Sequence, residues 1–326
     1  MSDSAPAPMT SALDAIGNTP VVRLQRIVPS NHAAVFVKLE YFNPTGSYKD
    51  RMALAMIEQA EQRGTLRAGM TVVEYTGGST GSSLAFVCAV KGYRFHVVSS
   101  DAFAPEKLKT MSALGAQLEV IPSPSGKITS DLIPKLMARA KELGASENCY
   151  MTDQFNNQDS LLGYEKIGEE LLQQFPQGID AFCGGVGIGG MLMGVARVLK
   201  SQDPSTRIVA LEPASSPILS EGRSGDHHVE GLGVGFVPPL LDRTLYDEAR
   251  GVSEFEAREM CRRLAEEEGL LVGTSTGLNV VSAIELAKEL GPKKTIVTVA
   301  CDTGLKYMAG DLFSVQQCQS RMITSP

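Results

Sequence analysis

Ala181-Phe182-Cys183 runs directly into Gly184-Gly185-Val186-Gly187-Ile188-Gly189-Gly190-Met191, and a helical pattern follows through Leu199. A short apolar run, a glycine turn and a helix are the parts of a wound α/β unit. Five glycines in the seven positions from 184 to 190 are more than a turn requires. Their backbone amides, uncovered by side chains and set at the positive end of a helix, form a seat for phosphate. The same loop also fits the dinucleotide fingerprint. Gly185, Gly187 and Gly190 give G-x-G-x-x-G after a strand, and Glu212 ends the next strand where a ribose-binding acid would stand.

Outward from this loop, short β-branched runs alternate with helical patterns along nearly the whole chain. Strands are expected at 34–39, 71–75, 94–99, 117–121, 181–183, 207–211 and 295–299. Helices are expected at 47–62, 81–91, 105–114, 130–143, 160–174, 189–199, 254–268 and 278–290. This alternation predicts an α/β fold of two wound domains with mainly parallel sheets covered on both faces. One domain comprises residues 41–152 and the other residues 1–40 plus 153–326. Such domains hold ligands at the C-terminal ends of their strands, and a cleft between them is expected there. Residues 1–12, rich in Ser, Ala and Pro, read as a loose tail.

Two further helix mouths stand out. Asn43-Pro44-Thr45-Gly46 has turn composition, and Ser47-x-x-Asp50 resembles a capping box with Ser47 as N-cap. Lys49 then falls in the first helical turn, where the dipole disfavours an ammonium and favours the nucleophilic amine. Thr76-Gly77-Gly78-Ser79-Thr80-Gly81-Ser82-Ser83 follows the strand 71–75 and opens a helix, a natural seat for a carboxylate or phosphate.

Composition narrows the field. The 326 residues are 43% hydrophobic with a net charge of −7, and no basic cluster points to nucleic acid. No apolar run reaches the length of a membrane span, and no signal peptide opens the chain. Six cysteines (Cys88, Cys149, Cys183, Cys261, Cys301, Cys318) lack metal-like pairing with the four histidines and read as reduced thiols of a cytoplasmic protein. No metal site is expected.

A lysine poised as amine, a glycine phosphate cup and a separate carboxylate seat together suggest pyridoxal phosphate. The chain here resembles the cysteine synthase and cystathionine β-synthase family, the fold-type-II pyridoxal 5′-phosphate enzymes. The resemblance runs from Ile16-Gly17-Asn18-Thr19-Pro20 to Asp302-Thr303-Gly304-Leu305-Lys306-Tyr307. It implies a tryptophan synthase β-like fold, with a larger cofactor-phosphate domain and a smaller substrate-carboxylate domain at the boundaries above. Lys49 would be the Schiff-base lysine and catalytic base. Gly185, Val186, Gly187, Ile188, Gly189, Gly190 and Met191 would hold the phosphate, Ser79 the ring hydroxyl oxygen, and Thr303 the pyridine nitrogen, with Asp302 as the other candidate for that nitrogen. Thr76, Gly77, Ser79, Thr80 and Gln154 would hold the substrate carboxylate. Glu230-Gly231-Leu232-Gly233 and Gly273-Thr274-Ser275-Thr276-Gly277 are similar to further cleft motifs.

The chain departs from the family at informative places. The carboxylate loop usually reads T-S-G-N-T-G, so Gly77 and Ser79 stand where serine and asparagine are usual. Val186, Ile188 and Met191 stand where the phosphate loop usually carries threonines. The resemblance implies β-replacement on a serine- or cysteine-derived amino acid through an aminoacrylate, cysteine synthase-like, with O-acetylserine or O-phosphoserine plus sulfide or another nucleophile. A β-elimination lyase or serine/threonine dehydratase is the nearest alternative. A nicotinamide-dependent oxidoreductase using Glu212 and a catalytically retired binding protein are the others. A cytoplasmic homodimer is implied.

Overall fold

The computed structural model describes residues 8–123 and 131–314. Part of the N-terminal tail, the expected helix start at Ser130, and Cys318 lie outside the described residues. In chain order the strands are β1 (Val21–Arg23), β2 (Ala34–Lys38), β3 (Thr71–Tyr75), β4 (Arg94–Ser100), β5 (Gln117–Ile121), β6 (Cys149–Met151), β7 (Ala181–Gly185), β8 (Arg207–Pro213), β9 (Glu248–Val252) and β10 (Thr295–Val299). The helices are α1 (Lys49–Gln62), α2 (Ser79–Lys91), α3 (Pro105–Ala113), α4 (Leu132–Gly144), α5 (Asp159–Gln174), α6 (Gly190–Gln202), α7 (Glu254–Glu268) and α8 (Thr274–Leu290).

The chain divides into two compact units. Unit 1 holds residues up to Asn18, Asn43–Thr45 and Lys49–Thr152; unit 2 holds Thr19–Phe42, Gly46–Tyr48 and the residues from Asp153 onward. The segment before Thr19, expected with the larger series, groups instead with unit 1. A short 3-10 helix at Ala12–Ala15, capped by Ser11, ends the tail. The Gly17 N–H donates to Asn43 Oδ1 at 2.9 Å and ties the segment to unit 1.

Unit 1 is a four-stranded sheet in the order β5-β4-β3-β6, all parallel. Val72, Val73, Val97 and Val98 are fully buried within it, as expected of strands covered on both faces. Unit 2 is a six-stranded sheet in the order β1-β2-β10-β7-β8-β9, parallel except for β1. Its core joins Val35 and Val37 of β2, Cys183 of β7, Val209 and Leu211 of β8 and Leu278, Val280 and Leu286 of α8. Every residue of β7 is buried. The glycine loop that follows is therefore fixed to the most central part of the sheet.

Three strands escaped the sequence pattern. β1 and β6 have three residues each, too few to show a period. β9 reads Glu-Ala-Arg-Gly-Val because it is an edge strand. Its Arg250 pairs with Glu248 at 3.0 Å and with Glu289 at 2.7 Å, so charge replaces apolar alternation there.

Candidate active site

In unit 1, Lys49 is the first residue of α1 and is half-buried. The helix-mouth position expected for it is present. Ser47 forms an isolated bridge with Asp302 inside unit 2 and precedes the helix by two residues. Asp50, fully buried at the second helical position, turns its carboxylate back to Thr45, whose N–H donates at 2.7 Å. The Thr45 hydroxyl also bonds Asp50 and lies 3.3 Å from the Ser83 hydroxyl. The Asn43–Gly46 turn is thus closed by Asp50.

The second helix mouth is also in unit 1. β3 ends at Tyr75, and α2 begins at Ser79, two residues earlier than the sequence pattern suggests, with Gly78 as N-cap. Ser79 and Thr80 are therefore the first two residues of a thirteen-residue helix, at its positive end. Thr76 Oγ1 accepts the Gly78 N–H at 3.1 Å and shapes the turn. Gly77 and Ser79 are half-buried, and Thr80 is buried.

In unit 2, the glycine loop leaves β7 and enters α6 through Gly189, whose φ of +85° requires glycine. The strand side of the loop is pinned. Asn279 Oδ1 accepts the Gly185 N–H at 2.8 Å, and the Val186 N–H donates to the Leu211 carbonyl at 2.8 Å. A Cβ at Gly187 would stand 2.1 Å from the Gly231 carbonyl oxygen, so the loop and the Glu230–Gly233 turn are packed backbone to backbone. The N–H groups of Gly187, Ile188, Gly189 and Gly190 find no acceptor among the described residues. Four successive donors at the positive end of a helix fit a phosphate. Val186, Ile188 and Met191 are 4, 7 and 4% exposed, and their apolar side chains offer the anion nothing. Within the loop itself, a phosphate would meet main-chain donors only.

The other candidate residues of unit 2 are held by their own neighbours. A Cβ at Gly190 would meet the Tyr164 ring at 3.0 Å. Tyr164 in turn packs edge-to-face on Tyr48, with ring centroids 5.6 Å apart. Tyr48 also donates its N–H to the Cys301 carbonyl at 3.1 Å. Gln154 is 7% exposed and stands beside Asp153, which has φ +47°. The Thr303 hydroxyl caps a 3-10 helix at Gly304–Tyr307 by accepting the Leu305 N–H at 3.3 Å. Asp302 is buried, and its Oδ2 accepts the Tyr307 hydroxyl at 2.9 Å. Burial, with the Asp302 charge second, pushes the Tyr307 phenol well above its ordinary value.

Glu212 answers the dinucleotide alternative. It is 2% exposed, and its carboxylate accepts the Leu219 N–H at 2.7 Å, the Ser220 N–H at 2.9 Å and the Ser220 hydroxyl at 2.7 Å. The acid expected to bind ribose is committed to holding the 218–220 turn. Asn279 has no counterpart among the residues singled out in the sequence, and the start of α8 differs from the expected one. Asn279 bonds Gly185 with its oxygen and the Val299 carbonyl with its amide nitrogen at 3.0 Å, which locks β7, β10 and α8 together beneath the loop. α8 starts at Thr274 rather than Leu278, so Thr274 and Ser275 form a further hydroxyl-bearing helix mouth, and the buried Thr274 Oγ1 has no hydrogen-bond partner among the described residues. The glycines flanking Thr274–Thr276 were the available signal.

Comparison with known proteins agrees with this construction. A cysteine synthase of Staphylococcus aureus is 45% identical over 95% of this chain and 99% of its own length. The crystal structure of an O-ureido-L-serine synthase superposes with a TM-score of 0.89 at 36% identity, covering 96% of this chain and all of that one. A hydrogen sulfide-producing enzyme from Fusobacterium nucleatum gives a TM-score of 0.86 at 34% identity over 93% of this chain and 99% of its own. The family model described as pyridoxal-phosphate dependent enzyme matches residues 12–302. A loop that presents four main-chain donors to a phosphate and a lysine at the mouth of α1 are what such an enzyme needs, and the chain belongs to the pyridoxal-phosphate dependent enzyme family.

Proposed function

We propose that the protein is a cysteine synthase-like enzyme that replaces a leaving group on Cβ of a serine- or cysteine-derived amino acid with a small nucleophile such as sulfide. The observation that carries this reading is the run of four open amides at the mouth of α6, in a chain of this family. Gly187 to Gly190 would hold the cofactor phosphate, with Val186 and Met191 walling the cup. Unit 2 thereby serves as the cofactor-phosphate part and unit 1, with the Thr76–Thr80 loop, as the substrate-carboxylate part. Ser79 would serve the ring hydroxyl oxygen, and Thr303 the pyridine nitrogen. When bound, the cofactor draws electron density from Cα of the amino acid, so that the Cα proton and then the Cβ substituent are lost.

The chain's own groups do the rest. The Lys49 amine carries the cofactor between turnovers, removes the Cα proton and later returns one to Cα. Thr76, Gly77, Ser79 and Thr80 orient the carboxylate at the positive end of α2, and Gln154 adds a side-chain donor. This positioning supplies the entropic share of catalysis. The enzyme works as a homodimer in the cytoplasm on this proposal; among the described residues no helix is long and apolar enough to cross a membrane.

Reconstitution with pyridoxal 5′-phosphate followed by O-acetylserine and sulfide tests the reading. Cysteine is the expected product. Steady release of pyruvate with sulfide present would replace this assignment with a β-elimination lyase, and failure to take up the cofactor would overturn both.

A further inference from the structure

The Thr76–Thr80 loop lacks the serine usual at its second position, and the structure contains the reason. A Cβ built on Gly77 would lie 2.0, 2.1 and 2.3 Å from Cγ, Cδ2 and Cδ1 of Phe103. Contacts that short are impossible, so no residue but glycine coexists with Phe103 in this position. At Gly78 the same construction meets nothing within 4 Å. The loop is therefore filled at one glycine and open at the next, where α2 begins.

Phe103 is placed by a built turn rather than by chance. The Ser100 hydroxyl accepts the Ala102 N–H at 3.2 Å, and the Ser100 carbonyl accepts the Phe103 N–H at 3.2 Å. Asp101 Oδ1 accepts the Ser123 N–H at 2.7 Å, which ties the turn to the chain beyond β5. The turn follows β4, the strand parallel to β3 from which the loop itself emerges. The Val98 carbonyl of β4 accepts the Thr76 N–H at 3.1 Å, so both sides of the contact are anchored to the same ladder. A glycine pair at 77–78 is otherwise the most freely moving backbone in the loop. An aromatic ring against Gly77 removes that freedom.

We propose that Phe103 is a positioning residue for the amino-acid substrate: its ring occupies the place of the missing loop side chain and fixes the 76–79 backbone at the mouth of α2, the proposed carboxylate seat. Substrate carboxylate is then bound by main chain and by Thr76 and Thr80, with an apolar wall where the family uses a hydroxyl. This inference rests on the proposed function for its ligand.

The test is a double-mutant cycle on the holoenzyme. Phe103→Ala and Gly77→Ser each raise KM for O-acetyl-L-serine about ten-fold with a smaller change in kcat, because each breaks the fit from one side. The combined Gly77→Ser/Phe103→Ala variant, in which the serine fills the vacated space, recovers most of that loss. Amide hydrogen exchange of peptides spanning 76–81 in the ligand-free protein accelerates in each single variant and slows again in the double. This readout needs no activity, and thermal unfolding of each variant controls for the fold. A double variant no better than the worse single, or exchange at 76–81 unaffected by Phe103→Ala, overturns the inference. Thr76→Val and Thr80→Val separate this from failure of the underlying reading. If they leave KM unchanged, the loop is not the carboxylate seat. If they raise it while the 77 and 103 variants do not, only the role of Phe103 fails.

Discussion

Individual side chains make the sharpest predictions. Glu212 holds three donors within 2.9 Å in a buried setting, and Glu212→Ala leaves two main-chain N–H groups without their acceptor. Loss of such charged bonds costs about 1–3 kcal/mol. Chemical denaturation should show that loss, and nicotinamide dinucleotides should leave the wild-type melting temperature unchanged. Burial pushes the Cys88, Cys183 and Cys261 thiols up to about 12. Iodoacetamide at about pH 8 should therefore leave all three unmodified in the folded protein while labelling the half-buried Cys149. Labelling of any of the three without unfolding would contradict their placement in the core. Lys49 is at a helix mouth as its neighbours suggest, and α1 begins two residues after Ser47, whose backbone bridges to Asp302 far along the chain. No local pattern reports such a contact. The same holds for Phe103, whose link to Gly77 exists only once β3 and β4 pair.

Loops and helix ends explain which elements were legible. The 181–191 segment is readable because a central parallel strand is apolar throughout and five glycines in seven positions mark the loop, although what each glycine packs against appears only in the fold. Among them Gly187 is the most constrained, since its Cβ would meet backbone at 2.1 Å, whereas Gly190 faces a Tyr164 ring at 3.0 Å. Gly187→Ala should therefore weaken cofactor uptake by about ten-fold or more and Gly190→Ala by less, measured by titrating apoprotein with pyridoxal phosphate. The reverse order would mean that the Gly187–Gly231 approach is not what shapes the cup. The starts of α2 and α8 were placed too late in the sequence, for one reason. Ser79-Thr80-Gly81 and Thr274-Ser275-Thr276-Gly277 are poor helix formers, and helical propensity undervalues them. Hydroxyl residues and glycine suit a helix end while lowering its propensity, so the sequence signal fails at these first turns.

Taken across both units, the fold class, the mainly parallel sheets and the family were accessible from sequence, because alternation of buried strands and helices is a property of the entire chain. Edge elements such as β9 are not, because charged side chains that form ion pairs replace apolar alternation along them. Those pairs also set the acid response. Arg partners hold the Glu119, Glu267 and Glu289 carboxyls below their ordinary value of 4.5. A carboxyl whose folded value is depressed contributes stability that is complete above the unfolded value and is lost as pH falls through the folded one. The melting temperature should thus hold down to about pH 5 and fall steeply below about pH 4.5, and Glu289→Gln should flatten that fall. An unchanged profile would show that the Arg250 and Arg207 pairs with Glu289 add nothing. The identity of the lysine that carries the cofactor decides more than any of these. Borohydride reduction of the reconstituted protein, followed by peptide mapping in a mass spectrometer, should place a phosphopyridoxyl group on Lys49 and leave the other lysines unmodified. A label on a different lysine, or none on a protein that has taken up the cofactor, would contradict the assignment of Lys49 and of the α1 mouth as its site.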